Sequence, residues 1–203
     1  MKKCLIPLLI GLTISLGGCG TAAREIAQRS MSEKEGVFHE ISEGEAPREG
    51  FVNLRVSAQV KTHLEGWYLL EAKSSLHGKP EYPFLFNIDG QAVKWEVKGQ
   101  QEKGTEYEGC METHDCGTGM RYILFKEIAL REGAHRIFFA LPGDDYRTEF
   151  EITLNRGERY VLELRPVYRA QHYLKGIVRL DAFLNGTKVQ QNTGWADSFL
   201  EWK

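Results

Sequence analysis

The sequence predicts an all-β fold, an antiparallel sandwich or barrel, and three observations carry that reading. One stretch, from Val52 to Lys61, alternates apolar and polar residues without a break. Short apolar runs recur at roughly 8–12-residue spacing between clusters of Gly, Pro, Asn and Asp. No globular segment sustains a long 3.6-residue period. Together these describe antiparallel strands, many with one buried and one wet face.

The first strand is "FVNLRVSAQVK", in which Val52, Leu54, Val56, Ala58 and Val60 face one way and Asn53, Arg55, Ser57, Gln59 and Lys61 the other. "GWYLLEAKSSL" follows and fits either a strand or a short helix. "YPFLFNIDGQAVKWEV" reads as two strands joined at Asp89-Gly90, a dipeptide suited to a type I′ hairpin turn. "MRYILFKEIAL" is the next strand. Three more follow between Gly133 and Pro166, with turns at Pro142–Asp145 and Asn155–Glu158. In the middle one, Phe150, Ile152 and Leu154 oppose Glu149, Glu151 and Thr153. "GIVRLDAFLNGTK" supplies a last strand with Val178, Leu180, Ala182 and Leu184 on one face. The tail 191–203 is compatible with a helical turn whose Trp195, Phe199 and Trp202 share a face and pack on the domain.

The other end of the chain states an address. Two lysines precede an apolar run from Leu5 to Leu16, then small residues and a cysteine, which is the layout of an export signal. The run is too short for a comfortable membrane span. The junction Leu16-Gly17-Gly18-Cys19 resembles the lipobox of bacterial lipoproteins. That resemblance implies removal of residues 1–18, a diacylglycerol thioether on Cys19 and usually a third acyl chain on its amine. Two or more chains suffice for stable anchoring. Gly20 follows instead of the aspartate that retains many such proteins in the inner membrane, so the expected location is the cell envelope, at the outer membrane. Residues 19–50 are polar and charged and are expected to form a flexible tether. The β domain is then expected over 51–190.

The 26 basic and 28 acidic residues give a net charge of −2, which offers no basic footprint for nucleic acid. Of the four cysteines, Cys4 leaves with the signal and Cys19 is lipidated. Cys110 and Cys116 remain, inside "EGCMETHDCGTGMR". Cys110, Glu112, His114 and Cys116 fall at every second position, so an extended strand would hold the sulfurs roughly 20 Å apart. Any joint chemistry therefore requires a loop. In an oxidising compartment the expected outcome is a structural disulfide, which removes the thiolates that soft metals need. A metal site with Glu112 and His114 as accessory ligands and a redox thiol pair are the alternatives. A stapled loop would display Glu112, His114 and Asp115 as a binding tip.

The stretch 130–166 resembles the PEGA-type surface-layer motif of bacterial envelope modules. Gly133 and His135 open a strand, Gly143 marks the turn, and Ile152, Leu154, Gly157 and Glu158 match the approach to the next strand. The resemblance implies a sandwich of prealbumin- or immunoglobulin-like strand order with a structural or binding role. His135 shares parity with Ile137, Phe139 and Leu141, so it is expected at the edge of the buried face, hydrogen-bonded.

No nucleophile elbow, zinc helix, Walker loop, dinucleotide fingerprint or Cys-x-x-Cys pair is present. His39 lies in the tether and the other histidines are scattered singly. Glu96, Glu106, Glu108 and Asp181 could meet as a carboxylate pair, but nothing in the sequence joins them. The expectation is a lipid-anchored envelope protein with a structural or binding role, no catalytic residues, no metal and no cofactor. Its partners would be the membrane and an envelope protein. The alternatives are an envelope-acting hydrolase with an acidic site and an assembly accessory that pairs through an edge strand.

Overall fold

A computed structural model of the protein describes residues 20–46, 48–103, 118–171 and 174–191. The signal and Cys19, the loop carrying Cys110, Glu112, His114, Asp115 and Cys116, and the C-terminal aromatic tail lie outside the described residues. So do Glu106 and Glu108.

One helix and ten strands are described: α1 (Gly20–Arg29), β1 (Phe38–Ile41), β2 (Phe51–Thr62), β3 (Glu81–Ile88), β4 (Gln91–Glu102), β5 (Gly119–Arg131), β6 (Gly133–Leu141), β7 (Tyr146–Leu154), β8 (Arg159–Gln171), β9 (Leu174–Leu184) and β10 (Thr187–Lys188). They form one continuous sheet in the order β10-β9-β8-β2-β5-β4-β3-β6-β7. β4 is the hinge of that path. Its first part pairs with β3 and its last residues, Gly99–Glu102, pair with β5. β1 takes up the same side of β5 further along, at residues 127–130. The sheet curls so that its halves face each other across a single large core. An antiparallel bridge from Phe150 to Gln191 ties the β7 edge towards the chain beyond β10.

The all-β class holds, and the sheet is mixed instead of purely antiparallel. β8 runs parallel to β2, with Asn53 opposite Arg159 and Ala58 opposite Leu164. The chain spends β3 to β7 building the other half of the curl. It then returns through the Asn155–Glu158 turn at the level where β2 begins, so the two strands point the same way.

The β2 alternation is realised in full: Val52, Leu54, Val56, Ala58 and Val60 are buried. The β3–β4 hairpin turns at Asp89 and Gly90, both at positive φ (50° and 99°), as a type I′ turn requires. β7 buries Phe150, Ile152 and Leu154 as its alternation predicts. In β9 the predicted face is broken. The register steps from Val167↔Arg179 to Tyr168↔Ile177, leaving Val178 unpaired in a bulge. Ile177 therefore turns into the core while Val178 is exposed.

The described part of residues 20–50, a segment expected from composition to be a tether, carries α1 and β1 against the sheet. α1 lies on the outer face of β3 and β6, where Ile26 is buried with Leu85, Phe138 and Ala140. Arg29 pairs with Glu149 at 3.0 Å, Glu25 pairs with Arg147, and the Asn87 side-chain amide donates to the Arg29 carbonyl at 2.8 Å. Phe38 of β1 is also buried. A handful of anchors in a polar segment suffices, because the sheet supplies the partners. This cover also explains why β3 and β6 lack alternation: both of their faces are packed.

Candidate functional site

The segment 63–80, between β2 and β3, is neither strand nor helix. It is a succession of turns, closed by Trp67 N–H to Leu64 O (3.2 Å), Glu71 N–H to Tyr68 O (3.2 Å) and Ser75 N–H to Ala72 O (2.9 Å). Gly78 fixes its return. Its φ is +70°, and a Cβ there would stand 2.0 Å from the Glu65 backbone nitrogen, so only glycine lets the two ends of the loop meet. The Gly78 N–H donates to Thr62 Oγ1 at 3.0 Å, tying that return to the end of β2.

This folding brings together two histidines fourteen residues apart in sequence. His63 Nε2 and His77 Nδ1 are 2.8 Å apart, with the rings edge to face at 78°. The Glu71 carboxylate joins them, Oε1 lying 3.3 Å from His63 Nε2 and 3.9 Å from His77 Nδ1. The Ser75 hydroxyl donates to the same oxygen at 2.5 Å. Asp144, from the β6–β7 turn, accepts from His77 Nε2 at 2.6 Å and from the Tyr82 hydroxyl through its other oxygen. Side-chain exposures of 17 %, 15 %, 25 % and 12 % for His63, Glu71, His77 and Asp144 leave the group shielded but reachable.

The outer hydrogen bonds fix the tautomers. His63 Nδ1 lies 2.8 Å from the Leu64 carbonyl oxygen, which can only accept, so Nδ1 carries a hydrogen. Asp144 likewise holds the hydrogen of His77 on Nε2. In neutral rings, the two facing nitrogens then both carry lone pairs. Burial lowers the affinity of His77 for a second proton, but the hydrogen bond and charge of Asp144 and the charge of Glu71 outweigh it and raise the pKa above the ordinary histidine value. Burial and the neighbouring Asp144 charge raise Tyr82 as well, so it stays a hydroxyl donor. The site attracts positive charge. His63 Nε2, His77 Nδ1 and Glu71 Oε1 are the three donor atoms able to meet at one ion, and they form the one such group found among the described residues.

Above them opens a cleft of about 730 Å³, lined also by Tyr68, Leu70, Pro142, Gly143 and Asp145. On the same loop Trp67, Leu69 and Leu70 are exposed, the leucines 99 % and 95 %.

The residues singled out from sequence fare differently. His135 is buried and hydrogen-bonded, to Asp89 and to the Arg131 carbonyl, both at 2.7 Å. Glu96 is half-exposed and paired with Lys94, and buried Asp181 is neutralised by Arg179 and Lys188. Neither belongs to the cleft. His63, Glu71, His77 and Asp144 escape a sequence reading because their spacing has no period. The legible signal is local: two histidines and a glutamate in one irregular loop, followed by a Gly-Lys-Pro stop.

Comparison with protein-family models, with curated proteins and with solved structures finds no match for this chain. The functional reading therefore rests on the residues themselves.

Proposed function

We propose that the protein is a lipid-anchored cell-envelope protein, held at the outer membrane by acyl chains on Cys19, with a binding role exercised by the cleft at its membrane-facing end. The curled sheet acts as a sandwich-like scaffold for that cleft, and a Cys110–Cys116 staple would display Glu112, His114 and Asp115 as a binding tip.

The observation that carries this reading is where α1 begins. Gly20, its first residue, is covalently next to Cys19. Along the helix, Arg29 meets Glu149 and Glu25 meets Arg147, so its N-terminus advances towards the start of β7. The five residues from Glu25 to Gly20 rise about 7.5 Å at 1.5 Å each, in the direction of the Pro142–Asp145 turn. That turn lines the cleft. An acyl chain on Cys19 would thus hold the cleft end against the bilayer. Leu70 lines the cleft, and Trp67 and Leu69 are exposed on the same loop, side-chain types suited to the headgroup boundary.

The test uses the full-length acylated protein in vesicles whose lipids carry bromine on the acyl chains. Tryptophan emission should be quenched, and Trp67→Phe should abolish most of that quenching. Equal quenching in both proteins overturns the orientation. Acylation is read separately: Cys19→Ala should remove acyl labelling and membrane retention, and unchanged labelling overturns the anchor.

A further inference from the structure

We propose that His63, Glu71 and His77 bind a single divalent transition-metal ion of the zinc class, with Asp144 orienting His77. This deepens the reading of the cleft as the binding site and names its ligand.

Two lone pairs facing each other across 2.8 Å repel, and the arrangement is resolved by a cation between them. A proton could do this for the histidine pair alone. It would use the Glu71 carboxylate, itself oriented by Ser75, only as a neighbouring charge. A metal ion uses all three donors. Zinc–nitrogen bonds of about 2.0–2.1 Å at tetrahedral angles place neighbouring donors roughly 3.3 Å apart. The three donor–donor distances here, 2.8, 3.3 and 3.9 Å, bracket that edge, so adjustments of about half an ångström complete the geometry.

The surroundings are those of a metal centre as well. Each histidine has its outer ring nitrogen committed to a carbonyl or carboxylate acceptor, which sets the tautomer and strengthens the inner donor. Asp144 supplies the carboxylate–histidine–metal arrangement and is itself held by the Tyr82 hydroxyl. Imidazole nitrogens with one carboxylate suit zinc, cobalt, nickel or copper and disfavour calcium or magnesium, which seek oxygen donors. With two neutral histidines, Glu71 and Asp144, a dication brings the local charge to zero. All three ligand residues line the cleft, so a fourth position would be open to water or an exchanging ligand.

The experiment titrates zinc into the full-length protein in detergent after removal of metal with a chelator, and repeats it with cobalt(II) followed by absorption. One equivalent should bind at micromolar affinity or better, and cobalt should show the visible bands of a tetrahedral nitrogen/oxygen site. His63→Ala and His77→Ala should each weaken binding at least 100-fold. Asp144→Asn, a change at a positioning residue, should weaken it about 10–100-fold while leaving the cobalt bands in place. Glu71→Gln keeps shape and its Ser75 contact, so it decides the matter if a histidine variant fails to fold. The proposal is overturned if no zinc binds, if the variants bind as the native protein does, or if cobalt shows sulfur charge-transfer bands, which would put the metal on Cys110 and Cys116. Vesicle quenching of Trp67 is independent of metal. Loss of zinc binding with quenching intact removes this proposal alone, and the reverse result removes the membrane orientation alone.

Discussion

At the scale of single residues, side-chain parity is a strong guide until a backbone irregularity resets it. The bulge at Val178 is the clearest case. Simple alternation places Val178 in the core, whereas the structure buries Ile177 and exposes Val178. Ile177→Ala should therefore cost about 2–5 kcal/mol, and Val178→Thr should stay within about 0.5 kcal/mol, both read from urea unfolding midpoints. Charged residues allow a second prediction. The Arg55 guanidinium grips Glu127 at 2.7 and 3.0 Å and, against the opposing effect of burial, holds its carboxyl below the usual carboxylate range, helped by the Gly44 N–H. A pKa lowered on folding stabilises the protein at pH above the ordinary carboxylate value. That contribution fades as pH falls through the lower folded value. Glu127→Gln should lower stability near neutrality and flatten the acid limb of a midpoint-versus-pH curve, and superimposable curves would show that the pair contributes nothing.

At the scale of elements, the legible parts were those whose pattern is self-contained. β2 announces itself by alternation, and Asp89-Gly90 specifies its turn through backbone conformation. Elements defined by what covers them were not legible. β3 and β6 read as unbroken apolar runs because α1 covers one face, and α1 is a polar helix with one buried residue among those described, Ile26. The docking is correspondingly concentrated. Ile26→Ala should release α1 locally without unfolding the sheet. Amide exchange across 20–29 should rise by at least tenfold while exchange in β2 and β5 stays unchanged. Equal exchange in native and variant protein would mean that the ion pairs to Glu149 and Arg147 hold the helix without it.

At the scale of the whole molecule, the curl decides what meets. The parallel β2–β8 pairing arises from the order in which the halves of the sheet are built, a non-local property that no local pattern encodes. The candidate site depends on the same geometry. His63 follows β2, His77 precedes β3, and Asp144 comes from the β6–β7 turn, so the cluster exists only when the ends of separate strands converge. Along the chain the histidines stand singly, and the cysteine loop draws attention because its chemistry-bearing residues are close in sequence. Folding shifts the emphasis to residues that are close only in space.

Zinc-edge X-ray absorption of the full-length protein loaded with one equivalent of zinc tests the proposed centre most directly. A four-coordinate shell with two imidazole nitrogens at about 2.0–2.1 Å, the rest oxygen, is the predicted result. Sulfur at about 2.3 Å, or the six oxygens of hydrated zinc, would contradict it.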